Sequence, residues 1–112
     1  MKAVVLTQPC KAEEMRVTEV PVPEVRPGTV LIKVESFGLN HSEVLLRQFE
    51  VAQPYIRKPV IPGIECVGVV ADPSDTHFRK GQKVMAMMGG MGRSFNGSYA
   101  EYALLPLRIV FS

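Results

Sequence analysis

Apolar side chains along this chain recur mostly at every second residue. From Thr29 to Ser36 the order T-V-L-I-K-V-E-S puts Val30, Ile32 and Val34 on one face and Leu31, Lys33 and Glu35 on the other. That alternation predicts a half-buried strand, and Pro27-Gly28 just before it is turn chemistry. Lys2–Leu6 and Met15–Val20 read as two further strands, joined as a hairpin through the polar stretch Pro9–Glu14. Ile64–Ala71 is a nearly continuous apolar strand launched from Pro62-Gly63, and Gly68 inside it predicts a bulge or a close backbone approach. Lys83–Met88 and Ser98–Leu105 are the last long strands. The polar stretch Asp72–Gln82, with Pro73 and Gly81 as turn residues, leads into the first of them.

One segment breaks the alternation. His41–Gln48 has helical composition and no period-two pattern. Asn40 can be its N-cap, and Glu43, three residues on, can complete a capping box. The expectation is a mainly β protein, a closed or partly open barrel with one short helix.

Composition narrows the class. The 112 residues make one ordinary domain, long enough to bury roughly two-thirds of its unfolded surface. Hydrophobic residues at 46% and charged residues at 21% are a globular composition, not a disordered one. The net charge of +2 and the scattered doublets Arg57-Lys58 and Arg79-Lys80 form no phosphate-tracking stripe, so no nucleic-acid partner is expected. No stretch approaches a membrane span, and the apolar run Ala3–Leu6 is too short for a signal peptide. No membrane partner is therefore expected, and a cytoplasmic home is the default. Cys10 and Cys66 match no C-x-x-C spacing, and nothing in their placement requires a disulfide. Cys66, inside an apolar run, reads as a small buried hydrophobe.

Four stretches, in order, carry a family likeness: Met1-Lys2-Ala3-Val4-Val5; Gly38-Leu39-Asn40-His41-Ser42-Glu43; Pro62-Gly63-Ile64-Glu65-Cys66-Val67-Gly68-Val69-Val70; and Gly97-Ser98-Tyr99-Ala100-Glu101-Tyr102. Phe78–Val84, F-R-K-G-Q-K-V, adds a fifth phrase. Together they make residues 1–112 resemble the N-terminal, GroES-like catalytic domain of a medium-chain dehydrogenase/reductase. The likeness is to the zinc-independent quinone-oxidoreductase type. It implies a GroES-like, partly open β-barrel with one short helix. It also implies that the nucleotide-binding Rossmann domain is absent from this chain, which stops at Val110-Phe111-Ser112 about where a relative turns toward that domain.

Zinc-dependent alcohol dehydrogenases of the same family keep a cysteine at the helix start and a histidine after Pro-Gly. Here those positions are Asn40 and Ile64, and neither side chain replaces a thiolate or an imidazole as a zinc ligand. The resemblance therefore implies no zinc. It implies an NADPH-dependent oxidoreductase, with the cofactor bound mainly by the missing domain, that reduces a quinone, enone or similar carbonyl by hydride transfer. The full-length protein is expected to be a homodimer. Some relatives carry a tyrosine in the short helix where this chain has Leu45, so the proton donor is left open. A zinc-dependent alcohol dehydrogenase domain and a GroES-like binding or assembly module without catalysis are the rival readings.

Asn40 and Ser42 are the catalytic candidates that the resemblance supplies, and Asn40 with His41 the cofactor contacts. A helix N-terminus there favours a negative ligand group. Each residue also has a plainer role. Asn40 can simply cap the helix, His41 can be an exposed first-turn side chain, and Ser42 a second capping hydroxyl. Tyr55, in the Pro-rich loop between Gln48 and Gly63, is a substrate-binding candidate that would cover a cleft, and surface packing accounts for it equally well. Glu65 is expected to be buried with Val67 and Val69 and paired with Arg47, a catalytic acid being the rival role. Gly90-Met91-Gly92 lacks the third glycine of a dinucleotide fingerprint and reads as a mobile loop. Met85, Met87, Met88 and Met91 are expected to fill core or cleft space.

Overall fold

The computed structural model describes residues 1–112. Seven strands run in the order β1 (Lys2–Val4), β2 (Val17–Glu19), β3 (Thr29–Ser36), β4 (Glu65–Asp72), β5 (Lys83–Met87), β6 (Tyr102–Pro106) and β7 (Val110–Phe111). A single α-helix, α1 (His41–Gln48), stands between β3 and β4. β1 and β2 pair antiparallel as the expected hairpin, Lys2 opposite Glu19 and Val4 opposite Val17. The other five strands form one curled antiparallel sheet in the order β6-β3-β4-β5-β7. The sheet does not close on itself, so the barrel is partly open, as expected. No helix is long and apolar enough to cross a membrane.

Period-two alternation builds the main core. Val30 and Ile32 of β3, Cys66 and Val70 of β4, Val84 and Ala86 of β5, and Ala103 and Leu105 of β6 all point inward. Phe78, Met91, Ile109 and Val110 complete that core. Each large side chain fully buried here contributes about 1.5–3 kcal/mol. A smaller core holds α1: Leu46 and Val51 pack with Leu6, Ile56 and Val60. Gly68 meets the expectation for a close approach, since a Cβ there would strike the Lys33 carbonyl. A register shift between Val34 and Ser36 on β3 faces Gly68 and Val67.

Several expectations are corrected. Glu65 is exposed rather than buried, because β4 turns Cys66, Gly68 and Val70 inward and leaves Glu65 and Val67 outward. Arg47 is not its partner; its guanidinium donates to the Cys10 carbonyl at 2.8 Å. Met91 is fully buried, but Met85, Met87 and Met88 are exposed. The Gly89–Gly97 stretch is therefore a packed loop, hydrogen-bonded around the Gly90 carbonyl and anchored by Met91. Ser98–Ala100 is not sheet strand. Tyr99 N–H donates to the Pro62 carbonyl, and Ala100 bridges Ala3, so the strand begins only at Tyr102. β7, for which the alternation gives no sign, pairs Phe111 with Met85.

Candidate functional site

The polar cluster at the start of α1 is organised by one carboxylate. Asn40 is extended, φ −123° and ψ 150°, and caps the helix. Its N–H donates to Glu43 Oε1 at 2.9 Å, so the reach-back arm of the expected capping box is in place. Glu43 is only 6% exposed. Its Oε2 accepts the Ser42 hydroxyl at 2.7 Å, and its Oε1 also accepts the Tyr99 hydroxyl at 3.1 Å. A buried carboxylate is costly unless it is hydrogen-bonded, and three donors satisfy this one. Burial first, and then the Glu43 charge, push the Tyr99 phenol up to about 12. Phe37 stacks on Tyr99 with ring centroids 4.7 Å apart. The segment that leads into Asn40 is thus held on the same support.

One polar atom in this cluster has no partner. Asn40 Nδ2 is buried and makes no hydrogen bond. Beside it, a Cβ on Gly38 would meet the flexible end of the exposed Glu65 side chain and lie 3.5 Å from Asn40 Nδ2. Gly38, Glu65, Phe37 and Cys66 share the lining of a small cavity of about 100 Å³. Burial, reinforced by the neighbouring Glu65 charge, pushes the Cys66 thiol up to about 11, so this sulfur is a packing group rather than a nucleophile.

The Pro62-Gly63 and Gly97-Ser98 stretches brace one another. Gly63 has φ +111°, and a Cβ on it would strike Ser98 Oγ and lie 2.7 Å from the Ser98 nitrogen. Gly97 N–H donates to the Ile61 carbonyl at 2.7 Å. Two motifs far apart in sequence thus form one rigid junction beside Tyr99.

His41 is exposed and Ser42 half-buried, while Tyr55 lies at the surface, 63% exposed. The Tyr55 hydroxyl donates to Glu50 Oε2 at 3.2 Å, and Arg93 donates to Glu50 Oε1 at 2.8 Å and to the Ser42 carbonyl at 3.1 Å. The hydrogen bond and charge of Arg93 hold the Glu50 carboxyl below the usual carboxylate range. Tyr55 is therefore tied to the helix start through two intermediaries. Leu39, 80% exposed, and Phe49 and Met88 are large apolar side chains open to solvent. No three His, Cys, Asp or Glu side chains are grouped as metal ligands. An unpaired amide donor such as Asn40 Nδ2 can pair with a carbonyl or carboxamide oxygen that reaches it.

Residues 26–112 match the alcohol dehydrogenase GroES-like domain. This chain is a member of that family. The domain is 30% identical over 113 residues to the synaptic vesicle membrane protein VAT-1 homolog-like of Mus musculus, covering 99% of this chain and 25% of that protein. It is 34% identical over 99 residues to the human quinone oxidoreductase, covering 84% of this chain and 27% of that protein. The structure of the quinone oxidoreductase from Coxiella burnetii superposes with a TM-score of 0.85 at 26% identity, over 100% of this chain and 36% of that one. The GroES-like domain thus spans about a quarter of the length of these curated relatives. They place it among the medium-chain dehydrogenase/reductase oxidoreductases.

Sequence reasoning named Asn40, His41 and Ser42 but missed the supports of the domain's polar cluster. Glu43 was legible as a capping partner, though not as the acceptor of Tyr99. Arg93 and Glu50 carried no local signal at all, since they meet only through a contact 43 residues apart in sequence.

Proposed function

We propose that this domain is the substrate side of an NADPH-dependent oxidoreductase that reduces a quinone, enone or similar carbonyl without zinc. The observation that carries the reading is Asn40 Nδ2, a buried donor with no partner at the position where zinc-dependent relatives keep a cysteine. A buried donor left unpaired costs about 1–3 kcal/mol, and a ligand oxygen would remove that cost. Ile64, where those relatives keep a histidine, is half-buried and offers no lone pair. Both departures support a reaction without metal.

The residues fit the cofactor's nicotinamide end. Asn40 would donate to a carboxamide or carbonyl oxygen, and His41, exposed beside it, would face a negative group. Bound NADPH supplies the hydride. The Ser42 hydroxyl proton is committed to Glu43, so Ser42 acts by orienting the turn rather than by moving a proton. Leu39, Leu45 and Phe49 supply exposed apolar surface for an uncharged substrate.

The test is a fusion of the full chain to the nucleotide-binding half of the human quinone oxidoreductase, assayed with NADPH and 1,4-benzoquinone. Turnover that falls at least tenfold in Asn40→Ala, in protein containing no stoichiometric zinc by mass spectrometry, supports the reading. An inactive fusion that folds, or activity that needs zinc, refutes it. The 112-residue chain alone is expected to bind no NADPH at micromolar concentration by calorimetry, because it has no strand-glycine-helix fingerprint.

A further inference from the structure

We propose that Arg93 is a positioning residue for the site, its guanidinium locking the first turn of α1 to the Met88–Gly97 loop. Three observations carry this. First, one guanidinium nitrogen donates both to the Ser42 carbonyl, 51 residues away, and to Glu50 Oε1. The Ser42 carbonyl belongs to the turn that holds His41 and Ser42, and a carbonyl has a second lone pair free after its helical bond. Second, the base of Arg93 is fixed. Its carbonyl accepts the Arg57 N–H at 2.8 Å, its own N–H donates to the Gly90 carbonyl at 3.0 Å, and Met91 is locked in the main core. Third, Glu50 lies just beyond α1, and its other oxygen accepts Tyr55. Helix start, helix end, Tyr55 loop and Gly-rich loop therefore meet at the Arg93–Glu50 pair.

The Arg93–Glu50 pair is about three-quarters buried, at 24% and 29% side-chain exposure. An exposed pair of this kind is worth little; this one adds a backbone carbonyl that a surface pair does not have. Both bonds leave one nitrogen of a planar guanidinium, whose rigid plane fixes the directions of its N–H groups toward the carboxylate and the carbonyl. Lysine retains the charge and has three donors, but its ammonium sits on a flexible stem without that fixed plane.

The geometric half of this proposal does not depend on the oxidoreductase reading; its catalytic consequence does. Arg93→Gln and Arg93→Lys are made in the full chain and in the fusion described above. In the chain alone, Arg93→Gln is expected to shift the Ser42 carbonyl ¹³C resonance and the His41 and Ser42 amide resonances, while core resonances of β3 and β4 stay in place. Arg93→Lys should recover part of that shift. In the fusion, turnover should fall about tenfold, the scale of a small misplacement at a reacting centre, with the KM for NADPH within twofold of the parent. Unmoved Ser42 and His41 resonances in Arg93→Gln overturn the proposal. So does normal turnover in an active fusion. A parent fusion with no activity refutes only the oxidoreductase reading, because the resonances still decide the role of Arg93.

Discussion

Glu43 is the test of how the site is supported. Replacing it with alanine removes the acceptor for Asn40 N–H, Ser42 Oγ and Tyr99 Oη at once. Hydrogen bonds to a charged group contribute about 1.5–3 kcal/mol each. The Ser42 hydroxyl is half-buried and can turn to solvent, so two bonds count in full. Relief from burying a carboxylate offsets part of the loss. The expected net cost is about 3 kcal/mol, a large share of the 5–15 kcal/mol typical of a domain, and a Tm lowered by about 10 °C or more. Glu43→Gln retains an oxygen for Asn40 and Tyr99, and its amide can donate to the Ser42 hydroxyl, so it should cost about 1 kcal/mol. Urea unfolding followed by circular dichroism measures both, tryptophan being absent. The comparison holds only if the denaturant slope is unchanged. A Glu43→Ala protein within 1 kcal/mol of the parent refutes the hub, and so does Glu43→Gln as unstable as Glu43→Ala.

Gly63→Ala places a Cβ against Ser98 at φ +111°, where side chains are strained; it should fail to accumulate as folded protein, and a normal yield with a Tm near the parent's contradicts the junction. Alkaline stability follows from Cys66 and Tyr99, whose folded values of about 11 and 12 lie above their ordinary 9.0 and 10.0. Their contribution is full below pH 9 and is lost as pH rises through 11 to 12, so a Cys66→Ala, Tyr99→Phe double variant should show a flatter melting curve over that range. Glu50 runs the other way. Its lowered pKa adds stability above the ordinary carboxylate range that disappears as pH falls through the folded value. Glu50→Gln should therefore lose less Tm than the parent below about pH 4, and equal losses in both argue against the Arg93 pair. Iodoacetamide at pH 8 should label Cys10, half-buried, and leave buried Cys66 unmodified until the chain unfolds; fast labelling of both thiols contradicts the packing of β4.

Local spacing alone determined the helix. Asn40 and Glu43 stand three residues apart, and that interval both caps a helix and brings a side chain back to its start. Alternation likewise determined the inward face of β3, because an apolar–polar repeat leaves only one face to bury. The order of the Asn40, Pro62-Gly63 and Gly97-Ser98 motifs was enough to indicate the family. The face of Glu65 was not legible. β4 is apolar on both faces, so its parity depends on pairing with β3 and β5, and a one-residue slip would turn every side chain over. Burial of Met91 depended on the path of the Gly-rich loop, exposure of Met85 and Met87 on the register of β5 against β4, and β7 on an open edge of β5 that only the assembled sheet provides. The links from Arg93 to Ser42 and from Tyr99 to Glu43 span 51 and 56 residues. Contacts across such distances leave no spacing in the chain to read, because loop closure and sheet register, not local conformation, bring their ends together.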